Sequence, residues 1–335
     1  MTKAEILTNF CYCCEVSKAN GEDPIGSAGN YDAFLFIEVP EPWPIEFWQA
    51  QPQFQPIADL ATQLKKEQGL SLRAMAIAPD CQYSQPNYTR ILYYRRPSEE
   101  GFVQFEKQEF VVPDEQVVTV VLALLQQPDL LPQFESSRQE TEDIREMMLC
   151  THGSYDVACG RFGYPLYRQL RSEHAANSGG KLRVWRCTHL GPHNFAPTLV
   201  DFPEGRYWGH LELEVLDLLV YRRGPVADLY DYYQGWAGLS QVEQIAEREM
   251  WMQEGWNWFH YAKVSQVLAM DESDEYYPDW AEVRIDFNSH EGRVSGTYEA
   301  RVEVSGTVKT MWSSGKDKPL WEVKQYRVSR LNKVV

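Results

Sequence analysis

Leu72–Arg96 reads LRAMAIAPDCQYSQPNYTRILYYRR, and Leu182–Phe202 reads LRVWRCTHLGPHNFAPTLVDF. Laid over one another at an offset of 110, the two stretches align without a gap, although they share few letters. Each opens as an apolar strand, passes through a proline-bearing turn and enters a second strand. Working outward from the first copy, Tyr31–Pro40 is an apolar, aromatic strand closed by the proline-rich PEPWP. Residues 56–68 carry apolar side chains at helical spacing. Leu72–Ala78, Arg90–Tyr94 and Phe102–Val112 read as strands, with a turn at PSEEG, and Glu115–Gln127 as a Val-rich helix. The same order recurs from 146 to 222: strand Glu146–Cys150, helix Gly160–His174, strand Leu182–Cys187, a hairpin turning at Pro203–Gly205, and helix Glu212–Arg222.

This is the element order of a thioredoxin-like fold, a mixed sheet with helices on both faces. The expectation is an α/β protein made of tandem thioredoxin-like domains, at 1–130 and 144–224, with a polar, acidic linker at 129–143. A C-terminal α+β segment follows at 225–335, with helical texture through Met270 and antiparallel strands with one wet face over 281–331. The first copy is the degenerate one. Under the offset, His189 and His193 fall opposite Pro79 and Tyr83, and Cys150 falls near Val39–Pro40.

The chain has 335 residues and a formal charge of -16. That charge argues against nucleic acid, whose phosphates need Lys and Arg. It suits a protein that docks a basic partner, here expected to be a redox partner protein. The sequence carries no signal-peptide run and no stretch resembling a membrane helix, so the expectation is a cytoplasmic protein off the membrane. Seven cysteines in a chain this long do not make a secreted disulfide framework. Cys81 and Cys187 read as buried free thiols.

Cys150 and Cys159 stand nine positions apart, and His189 and His193 follow in CTHLGPH. Two thiolates and two imidazoles from two short loops suit a metal centre, and the reading is a 2Fe–2S cluster cradled by these four residues. Cys150 ends a strand and Cys159 lies at the entry of a helix, where free N–H groups and partial positive charge favour thiolate. Gly191 and Pro192 tighten the turn between the histidines. His152 and Arg186 are placed to tune the site from its margin.

Other readings stay open. A Rieske centre needs a second C-x-x-H downstream, and no cysteine follows Cys187. Cys150, His152, Cys187 and His189 would make a tetrahedral zinc site, and the protein would then be a structural or interaction protein. Cys11, Cys13 and Cys14 include a C-x-x-C, which allows a thiol–disulfide oxidoreductase using Cys11 and Cys14. Against that, the motif precedes the first strand instead of following it, so thiols at or near the surface of a terminus are the plainer expectation. His174, His210, His260 and His290 have no ligand-like neighbours, and Trp251, Trp256, Trp258 and Phe259 read as packing. No Walker, Rossmann or Ser-His-Asp pattern is present.

The segments CTHGSYDVACGRFGYPLYRQL and RVWRCTHLGPHNFAPTLVDFPEGRYWGHL, with GEDPIGSA at Gly21–Ala28, resemble the sucrase/ferredoxin-like family. The resemblance spans roughly residues 10–220. It implies a thioredoxin-like 2Fe–2S ferredoxin of the bis-histidinyl branch, with Cys150 and Cys159 on one iron and His189 and His193 on the other. Electron transfer or redox sensing would follow, as a carrier more than as a catalyst of a substrate reaction.

Overall fold

A computed structural model describes residues 9–98, 101–274, 276–289 and 292–334. It opens with α1 (Cys13–Ala19). The first half then runs β1 (Ala33–Glu38), α2 (Gln55–Gln68), β2 (Leu72–Ile77), β3 (Tyr88–Arg95), β4 (Glu106–Pro113) and α3 (Val117–Gln126). The second half runs β5 (Arg145–Cys150), α4 (Val157–Gln169), β6 (Leu182–Cys187), β7 (Leu199–Phe202), β8 (Arg206–Trp208) and α5 (Leu216–Tyr221). There follow β9 (Tyr233–Trp236), α6 (Gln241–Glu254), and β10 (Tyr261–Met270), β11 (Trp280–Ser289), β12 (Ser295–Thr310) and β13 (Trp321–Val334).

The protein is α/β, with a large mixed sheet flanked by helices and a separate antiparallel sheet. The large sheet has nine strands in the order β4-β3-β1-β2-β6-β5-β7-β8-β9. Within it the two halves repeat one topology. β1 is parallel to β2 and antiparallel to β3, which pairs with β4. Likewise β5 is parallel to β6 and antiparallel to β7, which pairs with β8. In each half a helix, α2 or α4, makes the crossover that a parallel pair requires.

The halves join through their equivalent strands. β2 and β6 run antiparallel and meet at a single register pair, Ile77 opposite Cys187. These residues are equivalent under the 110-residue offset. The flanking bonds are symmetric mates as well: Ala78 N–H donates to the Arg186 carbonyl at 2.9 Å, and Thr188 N–H to the Ala76 carbonyl at 2.9 Å. A local two-fold axis therefore passes through the seam. Each half's loop after that strand lies against the other half.

Alternation along the strands divides the core. Leu35, Ile37 and Ala76 face α2 and α3, whose Ile57, Val117 and Val120 cover them. Phe34, Phe36, Met148, Trp185 and Phe202 fill the opposite face across both halves. A buried charge network crosses the halves. Lys107 Nζ, Arg183 Nε and Trp185 Nε1 donate to the Glu146 carboxylate at 2.8, 2.9 and 2.6 Å, and Arg183 also reaches Glu109.

The small sheet has the order β10-β11-β12-β13. Its inner residues Ala281, Val283, Ile285 and Phe287 alternate with half-buried ones and pack with Ile245, Met250 and Trp251 of α6, and with Trp258 and Phe259. Trp256 packs at the margin of the same core.

The structure corrects several expectations. Tyr261–Met270, read as the end of a helical stretch, is strand β10, because only its first few residues are buried and the rest presents an open pleat. β9 was not foreseen; its four residues extend the large sheet beyond the second repeat. Phe102 stands outside β4 in an isolated bridge to Lys263. The linker contains a one-sided 3-10 helix, Pro128–Ser137, that buries Phe134. Cys81 is exposed, not buried. Of the predicted turn at 97–101, Glu99 and Glu100 lie outside the described residues, as does His290. No helix among the described residues is long and apolar enough to cross a membrane.

Candidate metal centre

β5 ends at Cys150, and the chain turns through Thr151–Asp156 into α4. The helix starts where it does because Asp156 caps it: its Oδ1 accepts the Ala158 N–H at 2.8 Å. Cys159 thereby falls in the first turn, its N–H bonded to the Asp156 carbonyl at 3.0 Å. Glycine lets the helix lie close against the strand end. A Cβ at Gly163 would meet the Cys150 carbonyl oxygen at 2.1 Å, and one at Gly160 would meet the Gly153 Cα at 3.1 Å.

The second loop, Thr188–His193, is held largely by the first half of the molecule. Arg73 Nη2 donates to the His189 carbonyl at 2.6 Å. The Thr188 hydroxyl accepts the Ala76 N–H at 3.0 Å. His152 reaches the same loop from the other side. Its Nε2 faces the carbonyls of Trp43 and Pro44 at 3.1 Å each, so that nitrogen carries the proton. Its Nδ1 accepts the His189 N–H at 3.4 Å. With both nitrogens occupied by backbone, His152 is a brace and not a ligand.

Cys150, Cys159 and His189 converge, with their ligand atoms all within 4.8 Å of one another. Both cysteines are buried and the histidine is half-buried. The Cys159 thiol, and then the His189 imidazole, hold the Cys150 thiol well below the usual thiol range despite its burial. Cys159 is pushed well above that range, first by the Cys150 sulfur and then by burial. One thiolate is thus poised, and a cation is what would release the second proton. The His189 Nδ1 is among the buried side-chain atoms without a hydrogen-bond partner. Tyr155 stacks on the His189 ring at 3.9 Å between centroids while remaining 41% exposed, so it links the imidazole to solvent.

His193 is the fourth expected residue, and it is turned differently. Its ring lies 5.4 Å from that of His189, but its Nδ1 faces Cys13 Sγ at 3.4 Å and Asp156 Oδ2 at 3.5 Å. Cys13, Asp156 and His193 form a second close group of donors. Sequence reasoning missed the first two. Asp156 carried a visible signal, a helix-capping residue three positions before Cys159. Cys13 carried none, since it arrives from 180 residues away.

Of the zinc alternative's four residues, Cys150 and His189 belong to the convergent donor group, and His152 and Cys187 are not part of it. Cys187 sits in the two-fold seam, its thiol pushed well up by burial. Arg186 pairs with Glu41 and lies over the rings of Tyr164 and Tyr167. Cys13 and Cys14, expected near the surface, are buried, and burial pushes both thiols up to about 12. That is opposite to the acidic thiol a dithiol exchanger needs. His174 and His210 are buried against Asp217 and Ser17, respectively.

The family model described as sucrase/ferredoxin-like matches residues 24–230, well over half of the chain. The chain belongs to the sucrase/ferredoxin-like family. The match takes in both halves of the large sheet and all four expected ligand residues, and it leaves α1 and the small sheet outside. No curated protein and no solved structure matches the chain.

Proposed function

We propose that this sucrase/ferredoxin-like protein is an electron-transfer or redox-sensing protein whose second half holds a 2Fe–2S cluster through Cys150, Cys159, His189 and His193. The observation that carries the reading is the convergence of Cys150, Cys159 and His189, with one ligand atom from each within 4.8 Å of the others. Such a cluster supplies one-electron chemistry, and the protein supplies binding and tuning.

The chain's own residues divide the work. Cys150 and Cys159 bring the negative charge. The two imidazoles are neutral donors, which keeps the site less negative than four thiolates would. Electron entry is then less opposed, and the potential lies well above that of a plant-type ferredoxin, as in Rieske centres. Asp156 and Cys13 engage the Nδ1 of His193, which leaves Nε2 as the nitrogen for ligation, the arrangement usual for metal-bound histidine. Arg73 and His152 fix the loop that presents His189. Tyr155, stacked on His189 and open to solvent, offers a route to a redox partner, and the negative net charge favours a basic one. The cytoplasm, where thiols stay reduced, is the fitting compartment.

The test is the visible spectrum of anaerobically purified protein, with iron and acid-labile sulfide measured on the same sample. Equal iron and sulfide, a brown colour bleached by dithionite, and loss of both in Cys150→Ser support the reading. Colourless protein holding stoichiometric zinc overturns it in favour of a structural Cys/His site.

A further inference from the structure

The cluster reading uses Cys13 and Asp156 only as neighbours of His193, yet the three form a donor group of their own. Cys13 Sγ lies 3.4 Å from His193 Nδ1 and 3.8 Å from Asp156 Oδ1, and His193 Nδ1 lies 3.5 Å from Asp156 Oδ2. Zinc bonds of about 2.3 Å to sulfur and about 2.0–2.1 Å to nitrogen and oxygen put the edges of a tetrahedron at roughly 3.3–3.6 Å. The Cys13–His193 separation matches such an edge, each of the two faces a different oxygen of Asp156, and one donor atom from each of the three residues lies within 4.8 Å of the others. The donors are one thiol, one imidazole and one carboxylate, a mixture that zinc takes readily.

Burial and charge agree with the geometry. Cys13 is fully buried and Asp156 nearly so. A divalent ion with one thiolate and one carboxylate sums to zero, so the occupied group would place no net charge in the interior. The Ser314 hydroxyl lies 3.3 Å from the Cys13 sulfur and 2.6 Å from Asp156 Oδ1, beside two of the three donors. The group also gathers three distant parts of the chain: α1, the start of α4, and the loop between β12 and β13 through Ser314. Both Cys13 and Ser314 lie outside the region matched by the family model.

We propose that Cys13, Asp156 and His193 form a second metal position, for a single divalent ion of the zinc type, that clamps α1 and the β12–β13 loop onto the second half. On binding, the Cys13 thiol releases its proton to solvent, Asp156 binds as carboxylate, and neutral His193 donates the Nδ1 lone pair and keeps its proton on Nε2. An ion on Nδ1 and a ligand bond from Nε2 therefore exclude one another unless the ring loses that last proton. The ion and a cluster held through His193 are therefore alternative occupants, and the second position is read with the first one empty.

The experiment uses the full chain carrying Cys150→Ser and Cys159→Ser, which disables the first position. Zinc is titrated against a chromophoric chelator, and Co2+ serves as the optical probe. The expected result is one equivalent bound, with tetrahedral Co2+ bands and charge transfer from a single thiolate. Adding Cys13→Ser should weaken zinc by roughly 100-fold or more, above the 10- to 100-fold that a mere neighbour of a ligand is worth. Asp156→Asn, which still caps α4, should weaken it as well. Unchanged zinc affinity with Cys13→Ser, or octahedral Co2+ without a thiolate band, overturns the proposal. If Cys13→Ser does not fold, Asp156→Asn decides: zinc affinity unchanged in that variant overturns the proposal. Iron and sulfide in the unmutated chain decide the cluster reading separately.

Discussion

Gly163 decides whether Cys150 and Cys159 can share one site. The space a methyl group would occupy there is already taken by the Cys150 carbonyl, 2.1 Å away. Gly163→Ala must push α4 off the end of β5, at an overpacking cost of roughly 1–3 kcal/mol. The cysteines then part, and iron and sulfide content should fall sharply while the far-ultraviolet spectrum stays folded. His152 is the other residue whose effect is felt through a neighbour. His152→Ala removes the acceptor for the His189 N–H and the donor to Trp43 and Pro44. The expected result is a cluster that forms but is lost faster in air, read as the decay rate of the visible bands; an unchanged rate would sink the bracing role.

At the scale of elements, the ligand loop after β6 depends on β2 of the other half. Arg73→Ala deletes the donor to the His189 carbonyl, a charge-assisted bond worth about 1.5–3 kcal/mol. Reconstituted Arg73→Ala should show lower iron occupancy than the parent at equal sulfide and iron supply. Most of these elements were legible in the sequence. β1, α2, β2, β5 and β6 are apolar runs or amphipathic helices bounded by Pro, Gly or polar turns, and local pattern specifies such segments. Ile77 and Cys187 are equivalent under the offset of 110, and the structure adds that they pair across the seam. β10 was misread because its aromatic N-terminal flank follows directly on α6 and only one end of the strand is buried. β9 is too short to show a period. Within the site, Cys150, Cys159 and His189 stood out by residue type and spacing. The partners of His193 did not, because packing between α1, α4 and the β12–β13 loop brings them together, and no local rule foretells it.

For the whole molecule, the charges buried between the halves should dominate stability. Glu146→Ala leaves Lys107 and Arg183 with Glu109 as their one shared carboxylate, and breaking such a buried group costs up to about 3–5 kcal/mol. Urea unfolding should move to a correspondingly lower midpoint. Acid should act in two steps. Burial pushes His210 down to about 4, so the unfolded chain takes up a proton near 6.5 that the folded one refuses, and stability falls as pH drops from 6.5 toward 4. Glu204 is held at about 2, burial being outweighed by the Arg222 guanidinium, so a second loss runs from pH 4.5 down to about 2. Thermal melts across this range should flatten in the upper part for His210→Gln and in the lower part for Glu204→Gln. The local two-fold seam bears on portability. A fragment cut to the second repeat would carry Cys150, Cys159, His189 and His193 but would strip β6 of its neighbour and leave behind Arg73, Ala76 and the Trp43 carbonyl. The half that carries the candidate site is therefore not a cassette to be grafted elsewhere: its smallest transferable unit is the fused pair, with the first repeat travelling as scaffold.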